Sequence, residues 1–240
     1  MFGNHSSLKI PKQIHQFRSR FKGIYKNTKI VLCVPSTLIY FFKKKISSKY
    51  ISIGAQNCHY HQSYGSYTGS ISPLMLKQAG AKYVIIGHSE NRLQGDTNKI
   101  IKKKINSALK EKLIIIFCIG ETLTQKKKGK TFSILKKQIG DSIERKFEPN
   151  KIFFAYEPIW SIGTGKIPKP EDLKKIFKFI SKELMKRNKR KTSPVLLYGG
   201  SVNGKNVKLF SSISEISGFL IGGASQSSKK FIDIIKNYYK

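Results

Sequence analysis

Short apolar runs bounded by turn residues recur along the chain. They are rich in β-branched and aromatic residues and nearly free of polar positions, which is typical of parallel strands buried on both faces. The segments between them place apolar residues at spacings of three and four, the period of an amphipathic helix. The seven clear runs cover residues 29–34, 50–57, 82–87, 113–120, 151–157, 194–200 and 218–223.

This alternation of strand and helix patterns predicts the fold class. With a candidate first strand at residues 1–4, the runs make eight strand–helix units in 240 residues. Right-handed crossovers would close such units into an α/β fold, a (β/α)8 barrel with a shortened first strand. An open doubly wound sheet is the alternative. Because no Gly- and Pro-rich stretch divides the chain, residues 1–240 are predicted to form a single domain.

The sequence also predicts where the protein resides. Residues 1–10 lack the basic and apolar regions of a signal peptide. No apolar run approaches the roughly 20 residues that a membrane-spanning helix needs. The three cysteines contain no CxxC pair, so neither a disulfide framework nor a zinc site is indicated. We expect a cytoplasmic protein without a membrane partner.

The chain is strongly basic, with 46 Lys and Arg against 13 Asp and Glu and a formal net charge of +33. Clustered basic residues are typical of nucleic-acid binding, which is one interpretation. However, the lysine runs at 43–45, 102–104 and 126–128 are dispersed and lack an aromatic-rich binding motif. Lysines on solvated helix faces are therefore the favoured interpretation, and a nucleic-acid partner stays the alternative.

Ionisable side chains follow two of the buried runs, at the strand ends where barrels of this class place their reacting groups. His88 and Glu90 follow the run at 82–87, and Glu157 closes the run at 151–157. Apolar neighbours raise the pKa of a carboxylate and suit it to act as a general base. A helix cap or a structural ion pair would use the same residue types.

The segment after Glu157 has the composition of a lid. Pro158 stiffens its start, while Gly163 and Gly165 free its far end, so we expect a lid hinged at both ends. Glycine pairs follow the last two runs, in YGGSVNG and LIGGASQ. Tight turns use such pairs too, but two of them on neighbouring strands predict a phosphate site built from backbone N–H groups.

Together these segments resemble the triosephosphate isomerase family. YVIIGHSENR is similar to its fourth-strand signature, and FAYEPIWSIGTGK to its sixth strand and lid. LLYGGSVN and FLIGGAS resemble its two phosphate turns, and AQNCHYHQSYGSYTGSISPLMLKQAGAKY its third loop and beyond. The likeness runs in collinear order from about residue 29 to the C-terminus. The lid signature disfavours other phosphate-binding barrel enzymes.

The resemblance implies a TIM-barrel isomerase of glycolysis and gluconeogenesis that needs no metal or cofactor. It would interconvert dihydroxyacetone phosphate and D-glyceraldehyde 3-phosphate through an enediolate. Glu157 would remove the proton, neutral His88 would polarise the carbonyl oxygen, and Glu90 would support the site from behind. Cys118 matches a family cysteine that we interpret as structural. The backbone N–H groups implied to hold the phosphate are those of Gly163, Ser201, Gly222 and Gly223.

The amino terminus departs from the family, whose first strand ends in Gly-Asn-Trp-Lys-Met-Asn. Ser6 stands where the active-site lysine belongs and Leu8 where the asparagine belongs. Asn4, and Lys9 on a shifted loop, are the candidate substrate-binding residues of this segment. The alternative function is a catalytically weakened barrel that acts as a basic binding or structural protein.

The resemblance also implies a homodimer. Tyr67 and Thr68, at the tip of the third loop, would dock into a partner subunit. Ser70 and Asn91 replace a Glu and an Arg that meet across the family's dimer interface. Because both charges are absent, neither is left buried and unpaired, so a dimer is still expected. A plain surface loop is the alternative.

Overall fold

The computed structural model describes residues 3–46, 48–188 and 193–239. In these ranges seven strands form one parallel sheet, and their spatial order follows the chain from first to last. The strands are β1 (Ile30–Val34), β2 (Ile51–Ala55), β3 (Tyr83–Ile86), β4 (Ile114–Ile119), β5 (Ile152–Tyr156), β6 (Leu196–Tyr198) and β7 (Gly218–Phe219).

Helices lie in every connection between neighbouring strands and at both ends of the chain. The α-helices are α1 (Lys9–Arg20), α2 (Ser36–Lys45), α3 (Pro73–Gln78), α4 (Ser89–Leu93), α5 (Asn98–Lys110), α6 (Leu123–Lys127), α7 (Thr131–Ser142), α8 (Pro170–Asn188) and α9 (Ser228–Tyr238). Short 3₁₀ helices cover His5–Leu8, Ile159–Ser161, Val207–Phe210 and Gly223–Gln226. Because every strand pair is parallel, all the strands end at the same edge of the sheet.

The predicted first strand is the part of the fold that the structure corrects. Met1 and Phe2 lie outside the described residues, and Gly3 and Asn4 are in no strand. Gly3 has a φ of +136°, which a regular strand does not allow. The hydroxyl of Ser7 accepts the backbone N–H of Asn4, so the chain turns into a 3₁₀ helix here.

The first and last helices are neighbours, which distinguishes between the two predicted arrangements. Helix α1 packs against α9. Beyond α1, the Thr28 hydroxyl donates a hydrogen bond of 2.7 Å to the Tyr239 hydroxyl, and the rings of Tyr25 and Tyr239 lie 5.4 Å apart. A doubly wound sheet reverses its strand order and leaves its outermost units at opposite edges. The sequential order and the meeting of the two ends therefore favour a barrel.

Residues within a strand alternate between two apolar clusters. In β3, Tyr83 and Ile85 belong to a small cluster with Ile116 and Ala155 from β4 and β5. Val84 and Ile86, which alternate with them along β3, belong to the large cluster that the helices cover. The strands are thus buried on both faces, as their nearly unbroken apolar runs predicted. Among the described residues, no helix combines the length and apolarity needed to cross a membrane.

Candidate active site

The two ionisable side chains predicted at strand ends meet in the structure. His88 follows β3 and Glu157 follows β5, and the imidazole Nε2 lies 3.5 Å from the carboxylate Oε1. The Glu157 side chain is 4% exposed and the His88 side chain is 25% exposed. A buried carboxylate therefore faces an imidazole that solvent or a small molecule can reach.

Local hydrogen bonding indicates which ring nitrogen of a neutral His88 carries the proton. This residue caps the N-terminus of α4, and its Nδ1 accepts the backbone N–H of Glu90 at 3.3 Å. In a neutral imidazole only one ring nitrogen carries a proton, so the other nitrogen, Nε2, is the donor. The N–H of a neutral His88 thus points toward Glu157.

The surroundings of Glu157 suit a base. Burial raises the pKa of its carboxyl group above the ordinary range. His88 in its protonated form, a hydrogen bond from the Cys118 thiol and the Arg92 charge act in the opposite direction. The result is a carboxylate that binds a proton more readily than an exposed one would.

Two glycines make room for Glu157. A Cβ on Gly120 would overlap the Glu157 carbonyl group, and one on Gly199 would lie 2.6 Å from its Cγ. The Gln138 side chain hydrogen-bonds both backbone groups of Gly120 at 2.9 Å. The loop after β4 can therefore approach the Glu157 backbone without leaving the polar groups of Gly120 unsatisfied, and the loop after β6 can approach the Glu157 side chain.

Arg92 is a site residue that the sequence interpretation missed. Its guanidinium donates hydrogen bonds to the carbonyl oxygens of Gly87 at 2.8 Å and Cys118 at 3.3 Å, and another to the Asn98 side chain at 2.8 Å. It thereby joins the turn that carries His88 to the end of β4. Its position explains why the sequence interpretation missed it, because Arg92 does not follow a strand directly but lies four positions after His88, inside α4.

Glu121 was missed as well, although it follows the run at 113–120 much as Glu157 closes its own. Its buried carboxylate accepts hydrogen bonds from the Tyr156 hydroxyl at 3.1 Å and the Trp160 indole N–H at 3.0 Å. Burial raises the pKa of Glu121, and these donors lower it. Glu121 joins the end of β4 to the start of the lid segment, which we define as residues 158–166.

The far half of the lid segment lies against the loop after β6. The Ser201 hydroxyl donates to the Ser161 carbonyl at 2.7 Å and accepts the Gly165 N–H at 3.2 Å. Gly163 and Gly165 have φ of +69° and +74°, in the left-handed region that favours glycine. The backbone N–H of Ser201 lies 3.5 Å from the Ser161 hydroxyl. Of the predicted phosphate residues, Ser201 is therefore part of this contact, and Gly163 lies within the lid segment.

The remaining predicted residues are spread around the same end of the sheet. Gly222 and Gly223 are exposed after β7, at the start of a 3₁₀ helix. Glu90 is 74% exposed, and its carboxylate lies 4.0 Å from the His88 Nδ1. Asn4 accepts a hydrogen bond of 2.6 Å from Ser6. Lys9 is exposed at the start of α1.

The predicted dimer loop folds back on itself. The Tyr67 ring lies 4.6 Å from the His59 ring and 4.8 Å from the His61 ring. Even so, 38% of Tyr67 stays exposed. Thr68 is exposed beside it. The loop thus presents an ordered aromatic surface to its surroundings.

Comparisons with known proteins agree with this geometry. The sequence model of the triosephosphate isomerase family matches residues 1–238. Triosephosphate isomerase of Dictyoglomus turgidum is 41% identical over 229 residues, which are 93% of this chain and 91% of the relative. That of Saccharomyces cerevisiae is 38% identical over 218 residues, 90% and 87% of the two chains.

A solved structure gives the same result for the fold. The crystal structure of triosephosphate isomerase from Bartonella henselae has a TM-score of 0.89 and 34% sequence identity. The match covers 100% of this chain and 96% of the other. The predicted TIM-barrel class is confirmed, with seven strands in the described residues. The chain belongs to the triosephosphate isomerase family.

Proposed function

We propose that this chain is an isomerase that interconverts dihydroxyacetone phosphate and D-glyceraldehyde 3-phosphate. The observation that carries the proposal is the 3.5 Å approach of the His88 Nε2 to the buried Glu157 carboxylate. Family membership supplies the substrate pair, because the matched relatives are named triosephosphate isomerase.

The proposed reaction is a proton transfer that balances within the substrate. Glu157 takes a proton from the carbon next to the carbonyl, and the C–H electron pair becomes the double bond of an enediolate. Charge develops on the carbonyl oxygen, where the Nε2–H of His88 donates a hydrogen bond. His88 gives its Nε2 proton to this oxygen and takes the hydroxyl proton from the neighbouring oxygen, so the proton moves from one enediolate oxygen to the other. The Glu157 carboxyl group then returns the first proton to the former carbonyl carbon, and the neighbouring oxygen becomes the new carbonyl oxygen. Burial favours this step because it stabilises the neutral, protonated form of Glu157.

We assign the phosphate to the backbone N–H groups that follow the last two strands. Gly222 and Gly223 are exposed there, and Ser201 hydrogen-bonds the lid segment, which contains Gly163. A lid over the phosphate would exclude water during the enediolate stage. Glu90 and the substrate-binding roles of Asn4 and Lys9 belong to the same proposal.

The wider setting follows from the same proposal. Residues 1–240 would form one barrel domain that acts in the cytoplasm, in glycolysis and gluconeogenesis, as a homodimer. The exposed tip formed by Tyr67 and Thr68 supports the dimer. The alternative of a basic binding protein is motivated by the charge of +33 and by Ser6, and no site geometry adds to it.

Replacing the base tests the chemical step. We expect Glu157→Gln to lower kcat by about 10²- to 10⁴-fold in assays with either triose phosphate, because the amide cannot accept the proton. A carboxyl group whose pKa is raised by folding destabilises the folded protein as the pH rises through that pKa, because the buried group then ionises. Gln carries no such charge, so the thermal midpoint at pH 7 should stay level or rise. Glu148→Gln, at an exposed glutamate, is the matched control. A Glu157→Gln enzyme that kept a tenth of the activity would refute the assignment.

The pH dependence of kcat/KM tests the environment of Glu157. Activity needs the ionised carboxylate, so it should fall as pH drops through a pKa that burial has raised. The Arg92 charge lowers that pKa, and we expect Arg92→Met to move the acidic limb to higher pH. Arg92→Lys keeps the charge and should leave the limb in place. An acidic limb of kcat/KM at the same pH in the wild-type protein and both variants would contradict this account of the site.

Lys9 is tested against a lysine on the next turn of the same helix. If Lys9 supplies the ammonium group that Ser6 lacks, Lys9→Met should lower kcat/KM by about 10-fold or more, the lower end of what removing one aligned donor costs. Lys12→Met, at an exposed position of α1, should have no such effect. Indistinguishable kinetics for the two variants would remove Lys9 from the site.

The dimer is tested at the exposed loop tip. The 27.3 kDa chain should sediment at about twice its mass. We expect Thr68→Lys to shift the population toward monomer, because it places a charge in the contact. Thr124→Lys, at an exposed position of α6, should remain dimeric. A wild-type monomer at micromolar concentration would contradict the proposed assembly.

A further inference from the structure

One lysine of the 126–128 run differs from its neighbours. The ammonium group of Lys126 lies 3.7 Å from the centroid of the Trp160 ring. Lys126 is half-buried, whereas Lys127 and Lys128 are exposed. The contact joins α6, which follows β4, to the lid segment, which follows β5. A cation this close to an indole face is in the range of a cation–π interaction.

The edge of the same ring is held by a second group. The Trp160 indole N–H donates to the Glu121 carboxylate at 3.0 Å, and the backbone N–H of Ile159 donates to the Glu121 carbonyl at 3.1 Å. Lys126 and Glu121 therefore hold Trp160 from its face and its edge, and both come from the segment after β4. The positive charge of Lys126 also lowers the pKa of Glu121, against the effect of burial.

We propose that Lys126 is a positioning residue that seats the lid segment through the face of the Trp160 ring. The proposed catalytic base directly precedes this segment, and Trp160 is three residues after Glu157. Movement of the ring would therefore move the backbone that carries the base and the lid over the phosphate site. The kinetic consequence rests on the proposed isomerase function, but the contact itself does not.

The chain contains a single tryptophan, Trp160, so tryptophan fluorescence reports the environment of this ring. Lys126→Met keeps most of the aliphatic stem and removes the charge. We expect the acrylamide quenching constant of Trp160 to rise about twofold or more in this variant. We also expect kcat/KM for the triose phosphates to fall by about 3- to 30-fold, the range that a partly desolvated cation–π contact supports.

Two further variants separate the charge from the position. Lys127→Met removes an exposed charge from the adjacent residue, and should match the wild-type protein in both measurements. Lys126→Arg keeps a cation that stacks on aromatic rings, and should restore most of the protection and activity. If Lys126→Met does not fold, the comparison of Lys126→Gln with Lys126→Arg serves the same purpose.

The outcomes distinguish this inference from the proposed function. Quenching and kcat/KM that are equal in Lys126→Met and Lys127→Met would overturn the role of Lys126, as would a lower thermal midpoint with unchanged quenching. If the wild-type protein has no isomerase activity but Lys126→Met exposes Trp160, the proposed function fails and the seating role stands. An active wild-type enzyme with both changes in Lys126→Met supports both.

Discussion

The site depends on one constraint, the burial of the Glu157 carboxylate where four neighbouring strands end. Burial makes the carboxylate a stronger base, but an isolated buried charge is costly, so its surroundings must compensate. His88, Arg92 and the Cys118 thiol provide that compensation. Gly199 supplies the space for the side chain. The surrounding loops therefore supply the groups that keep Glu157 ionised although its burial favours the neutral form.

Much of the fold was predictable because buried parallel strands have a strong sequence signal. All seven apolar runs contain a strand, although the runs at 194–200 and 218–223 contain only Leu196–Tyr198 and Gly218–Phe219. The glycine pairs that close these runs, Gly199 with Gly200 and Gly222 with Gly223, extend the apolar pattern without extending the ladder, since they serve the turns. The first strand was predicted wrongly at Gly3 and Asn4, because the turn there depends on a φ and on hydrogen bonds that the apolar pattern does not record.

The same difference between local sequence signals and contacts that form only on folding explains which site residues could be predicted. Glu157 and His88 could be proposed from the sequence because the rule that links strand ends to chemistry is local. Arg92 and Glu121 act through groups that are 26 to 39 residues away, such as the Cys118 carbonyl and the Trp160 indole. Such partners become neighbours only after parallel strands align. The sequence therefore predicts ionisable residues at strand ends more readily than the residues that hold them in place.

The charge of +33 bears on the lysine that Ser6 replaces. Among the described residues, Lys102 and Lys104 form salt bridges with carboxylates, and Lys126 stacks on an aromatic ring. A large net positive charge attracts anionic substrates, and such fields raise encounter rates by about 10- to 10³-fold. An aligned ammonium group acts differently, because it stabilises charge in the transition state. The field can therefore aid substrate capture, but it cannot replace an aligned ammonium group in the chemical step, which is the role proposed for Lys9.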